Sequence, residues 1–90
     1  MKSFSSVYGL IGEIHATALA FYFAAWRHPE QLDLNVGDWE EIRAWSPWAH
    51  VASKCLFGMP VQTWSGLGHG EFRLRLDGEV VVDSVELGAE

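Results

Sequence analysis

The chain has 90 residues, a formal net charge of −6, one cysteine, and 13% aromatic residues that include five tryptophans. That length makes a single domain, 1–90, burying only about 60–65% of its unfolded surface. The charge argues against direct nucleic-acid binding, which needs Lys and Arg to displace counterions, and against an anionic membrane surface. A lone Cys55 excludes an intramolecular disulfide and a multi-cysteine zinc site, and a reducing cytoplasm is the simplest compartment.

Ser3 to His28 reads as one long helix. Val7, Ile11, Ile14, Ala18, Phe21 and Ala25 recur at three- and four-residue spacing and share a face. Pro29 stops the helix, with Arg27 and His28 in its last turn beside the negative end of the dipole. Gly9 and Gly12 each weaken the first half by roughly 1 kcal/mol relative to Ala, which leaves a start near Gly12 open. Glu13 and His15 interrupt the apolar run and argue against both a signal peptide and a transmembrane span. From Ala16 to Trp26 the helix is apolar nearly all round, so it needs cover on more than one side.

His28–Gly37 reads as the longest connection. Asp38 then reads as an N-cap, with Glu41 three residues on in an acidic capping box, opening a helix to about Trp45. Ser46 and Pro47 restart a second short helix, buried through Trp48, Val51, Ala52 and Cys55 and ended by Gly58. Cys55 is expected there as a small buried hydrophobe.

Met59–Trp64 reads as a strand, and Gly66–Gly70 as a hairpin loop rather than a phosphate cradle, because it leads into a strand and not a helix. Phe72, Leu74 and Leu76 alternate with Glu71, Arg73 and Arg75, and Asp77-Gly78 turns the chain into Glu79–Leu87. A three-residue loop would set Phe72 opposite Val82, Leu74 opposite Val80 and Arg75 opposite Glu79, keeping the apolar set on one face. The fold class expected is α+β: a long N-terminal helix and two short helices packed on a small antiparallel sheet of about three strands.

The tryptophans are expected mostly in the core, with one or two exposed as interface anchors. His15, His28, His50 and His69 share no metal-ligand spacing, and no cofactor motif is present. His69 and Glu71 could meet as a base and its orienting carboxylate, but no nucleophile is placed beside them. The expectation is a protein that is not an enzyme, with no metal and no cofactor.

Charge patterning is the strongest functional signal. Five acids, Glu30, Asp33, Asp38, Glu40 and Glu41, fall between 30 and 41, and five, Asp77, Glu79, Asp83, Glu86 and Glu90, between 77 and 90; these ten of the twelve share two stretches without Lys or Arg. Such a field favours a basic partner and speeds encounter with it. Glu30, Asp33, Asp38, Glu40, Glu41, Asp83 and Glu86 are the candidate partner-binding residues. Tyr22, Phe23 and Trp26 are the candidate apolar contact, for a homodimer or a docked partner. In size and acidic charge the chain resembles the short acidic proteins by which bacteriophages block host defence, the anti-CRISPR proteins in particular. That resemblance implies a phage-encoded inhibitor in the host cytoplasm, presenting carboxylates to the basic groove of a CRISPR effector subunit in place of nucleic acid. An antitoxin or immunity protein covering a nuclease active site would present the same field, and a small ligand-binding domain or enzyme built on His69 and Glu71 is the alternative of another class.

Overall fold

The computed structural model describes residues 7–45, 49–50 and 52–84. The described elements run α1 (Val7–Ala25), β1 (Gln31–Asn35), α2 (Val36–Trp45), β2 (Ala49–His50), β3 (Cys55–Leu56), β4 (Met59–Trp64), β5 (Phe72–Leu76) and β6 (Glu79–Asp83). The α+β class holds, with two helices among the described residues.

The sheet is mixed rather than antiparallel, and wider than three strands. Its order is β2-β3-β4-β1-β5-β6, with β1 parallel to β4 and the other neighbours antiparallel. The reason is Gln31–Asn35, which reads as connection by its acids but alternates Leu32 and Leu34 with Gln31, Asp33 and Asn35. Leu32 and Leu34 are wholly buried, and the strand lies between β4 and β5. Residues 36–58 supply the long crossover that a parallel pair requires.

Both helices feed one core. Leu10, Ile11 and Ile14 of α1 and Trp39 and Ile42 of α2 join Leu32, Leu34, Leu56, Met59, Val61, Phe72 and Leu74 of the sheet. The stripe expected on α1 is buried at Ile11 and Ile14 and still packs on the core at Ala18. Ala18 and Phe21 are half-buried and Ala25 is exposed, so the last turns run past the sheet. α1 ends at Ala25, not at Pro29: Trp26 takes a left-handed φ of 59° and its N–H donates to the Tyr22 carbonyl at 2.7 Å. Arg27 and His28 follow the helix instead of completing it.

Asn35, not Asp38, caps α2. Its Oδ1 accepts from the amides of Gly37 (2.9 Å) and Asp38 (3.2 Å), while its Nδ2 donates to the Leu67 carbonyl at 2.7 Å. The second short helix is overturned where it is described. Ala49–His50 and Cys55–Leu56 pair as antiparallel strands, and Phe57 (φ 52°) and Gly58 (φ 79°) form a two-residue hairpin turn into β4. Gly58 thus supplies its left-handed backbone to a strand turn and not to a helix end. Ser46, Pro47, Trp48 and Val51 lie outside the described residues. Cys55 is half-buried, with its Sγ 3.4 Å from the Ser53 carbonyl.

The C-terminal hairpin corrects the expected register. The turn is two residues long, with Asp77 (φ 55°) and Gly78 (φ 81°), and sets Leu76 opposite Glu79 and Arg75 opposite Val80. A bulge between Leu74 and Arg75 then brings Leu74 opposite Val82 and Arg73 opposite Asp83. The apolar phase is kept by the bulge rather than by a longer loop, and Val80 is left outside the core. Gly66–Gly70 is not a hairpin loop either, since β1 lies between β4 and β5.

Candidate docking surface on the first helix

Tyr8, Gly12, His15, Leu19 and Tyr22 follow one another at intervals of four and three residues, which sets them in one row along α1, and Trp26 follows four residues on, just past the helix end. This row is separate from the buried Leu10, Ile11 and Ile14. Tyr8 is 67% exposed, Leu19 41% and Trp26 76%, and Phe23, beside the row, is 64% exposed. Tyr22 is half-buried by its neighbours: it meets Phe23 and Trp26 edge-on at 5.6 and 6.3 Å and stacks on His28 at 4.2 Å. Such ring pairs hold one another in fixed geometry. Exposed apolar clusters of this kind mark contact sites.

Two open clefts flank the row. One, of about 540 Å³, lies among His15, Leu19, His28, Phe57 and Met59; the other, of about 470 Å³, among Tyr8, Ile11, Gly12, His15 and Phe57. His15 separates them and stacks on Phe57, centroids 4.6 Å apart. The expected contact residues Tyr22, Phe23 and Trp26 thus form one end of a longer surface. Tyr8, His15, Leu19 and Phe57 were not anticipated as part of it. The period of Tyr8, His15 and Leu19 was legible in the sequence, whereas Phe57 arrives from a turn more than thirty residues away.

The acidic stretches are without bases in sequence but not in space. Asp33 is buried in the central strand and accepts from Gln31 Nε2 (2.7 Å) and Arg75 Nε (2.6 Å). Asp38 is buried in the first turn of α2, where it accepts from the Gly70 amide (2.7 Å) and pairs with His69 Nδ1. These two carboxylates therefore cannot meet a partner as surface charge: distant residues fold over them. Glu40 pairs with Arg43, Asp83 with Arg73, and Glu30 accepts from the Asp77 amide. Arg27 makes two hydrogen bonds to Asp77, at 3.0 and 3.3 Å, and these with the charge attraction raise its pKa above the ordinary value. Every described arginine has a carboxylate partner. Glu41 is exposed on α2 and Glu79 on β6, whereas Glu86 lies outside the described residues.

His69 is not oriented by Glu71, which instead accepts from the Gly68 amide at 2.6 Å. The orienting carboxylate is Asp38, thirty-one positions earlier. His69 lines neither described cleft. Among the described residues no group of three or more His, Cys, Asp or Glu is placed to hold a metal ion, and no helix is long and apolar enough to cross a membrane.

Compared with protein-family models, with curated proteins and with solved structures, the chain matches none.

Proposed function

We propose that this chain works by associating with another protein through the aromatic face of α1, as a non-catalytic binding protein. The observation that carries the reading is the exposure of Tyr8, Leu19, Phe23 and Trp26 along one face of a helix whose other side is in the core. Aromatic residues, Trp and Tyr above all, anchor protein interfaces when they enter desolvated pockets. The net charge of −6 and the exposed Glu41 and Glu79 bias the partner toward a basic protein, approached faster at low salt. A nucleic-acid-handling assembly, such as a CRISPR effector or a nuclease, is the partner class with that chemistry, and occupying its surface would make this chain an inhibitor. The support is narrower than the sequence suggests, because Asp33 and Asp38 are inside the fold and Glu40, Asp77 and Asp83 already hold arginines.

The test is affinity capture from a bacterial lysate at low and high salt, comparing the native chain with the double variant Phe23→Asp/Trp26→Asp. A basic protein retained by the native chain and lost by an equally folded variant is the expected result. Equal capture by both chains would sink the proposal.

A further inference from the structure

We infer that the α1 face pairs with the same face of a second copy of this chain, antiparallel, about a two-fold axis level with Thr17. The inference rests on the reading of α1 as an interface and names what covers the face in the free chain, a second copy that a basic partner would displace. The row Tyr8, Gly12, His15, Leu19 and Tyr22, with Trp26 just past the helix end, has the same intervals read in either direction. An antiparallel copy therefore sets Tyr8 against Trp26 of the second copy, Gly12 against its Tyr22, and His15 against its Leu19. A two-fold contact needs this property: each residue's counterpart must lie on the same patch, so that every contact is made twice.

Shape agrees with the register. The N-terminal end of the face carries a hollow, the cleft at Tyr8, Ile11, Gly12 and His15, and a Cβ added at Gly12 would meet nothing within 4 Å. The C-terminal end carries the rings Tyr22, Phe23 and Trp26, beside the other cleft at Leu19, His28 and Met59. One antiparallel contact places both sets of rings in both hollows. A parallel contact would face Gly12 with Gly12 and rings with rings, leaving the hollows unfilled.

Area and charge agree as well. At roughly 150–250 Å² for an aromatic side chain, the exposed parts of Tyr8, Leu19, Phe23 and Trp26 amount to about 500 Å² per chain. Two copies would bury about 1,000 Å², the lower size of a specific interface, suited to a weak dimer. Glu13 is the only Asp, Glu, Lys or Arg in α1, so two chains of charge −6 would meet over a helix that carries a single charge.

Sedimentation equilibrium on the whole chain tests this. Self-association to a dimer at concentrations on the order of 10–100 μM is expected. Phe23→Asp should weaken it by about tenfold or more. Gly12→Leu is the discriminating variant: it has room in the single chain and favours the helix, yet it fills the space meant for Tyr22 of the second copy. It should weaken the dimer, and adding Tyr22→Ala should restore much of the loss. A monomer at every concentration, open-ended aggregation, or a dimer tightened by Gly12→Leu overturns the inference. A monomer whose lysate partner is still lost with Phe23→Asp/Trp26→Asp would overturn the self-pairing alone and leave the proposed function standing.

Discussion

Replacing Arg75 with Met should destabilise this domain more than any single loss of surface charge. Asp33 is fully buried on the central strand, on the sheet face opposite Leu32 and Leu34. Its two oxygens accept from Gln31 (2.7 Å) and Arg75 (2.6 Å), and the Arg75 side chain is only 24% exposed. The guanidinium also lies 5.8 Å from the Trp64 ring centroid. Met keeps the apolar stem but removes the charge, so Asp33 would stay buried with one neutral donor. An uncompensated buried carboxylate of this kind costs about 3–5 kcal/mol, against roughly 5–13 kcal/mol of total stability for a domain of this size.

Asp33→Asn should cost less, about 1–3 kcal/mol, because Arg75 is at the sheet surface and can regain water once its partner is neutral. The double variant should be less damaged than the two losses added, since the buried charge is then gone. Urea unfolding followed by tryptophan fluorescence reads all four chains. With a slope of about 1.5 kcal/mol per M, Arg75→Met alone should lower the midpoint by roughly 2–3 M. A midpoint within about 0.5 M of the native chain, or strict additivity in the cycle, would refute the view that Arg75 neutralises a buried charge.

Asn35→Ala removes the cap of α2 and the hold on Leu67, and thermal melting should show a loss of about 1–2 kcal/mol. Gly78→Val should cost more than about 1 kcal/mol by the same assay, from backbone strain alone, since φ is +81° and its Cβ would meet nothing within 4 Å. Gly78→Asn, which tolerates that conformation, should recover part of the loss; equal effects of Val and Asn would show that strain is not the cause. Trp26→Gly should raise the melting temperature, by about 1 kcal/mol of relieved left-handed strain, while weakening association. A drop in both, or no change in association, would remove Trp26 from the docking surface.

The α+β class and the final hairpin were legible because Phe72, Leu74 and Leu76 alternate cleanly and Asp77-Gly78 can take two left-handed residues. The central strand was hidden in plain view. Leu32 and Leu34 alternate with Gln31, Asp33 and Asn35, but the density of acids made the segment read as solvated connection. Only the position of Arg75, forty-two residues on and in the neighbouring strand, makes a buried Asp33 affordable. The cap of α2 was misplaced for a related reason: Asn35 and Asp38 are both good caps, and the tertiary contact of Asp38 with Gly70 decides between them. At Trp48–Cys55 the helical spacing was real, and strand pairing to β4 overrode it where the residues are described. For the candidate site, Tyr22, Phe23 and Trp26 stood out because one stripe cannot bury a helix that is apolar all round. The clefts beside them did not, because they need Phe57.

The backbone adds an argument that exposure alone does not. Trp26 and Phe57 both adopt left-handed φ, at 59° and 52°, a region where bulky side chains are disfavoured and glycine is not. In the hairpin turn Phe57 stands next to Gly58, so the turn chemistry already supplies one unstrained residue and takes an aromatic for the other. Trp26 is 76% exposed, so packing inside the chain returns little for its strain. Local stability therefore gives Trp26 only its edge-on contact with Tyr22, whereas Phe57 stacks on His15 and packs against the core. A left-handed φ at a ring that stays 76% exposed is the pattern expected when the side chain serves contacts outside the chain. Trp26→Gly separates these two demands, because it is the substitution that folding favours and docking opposes.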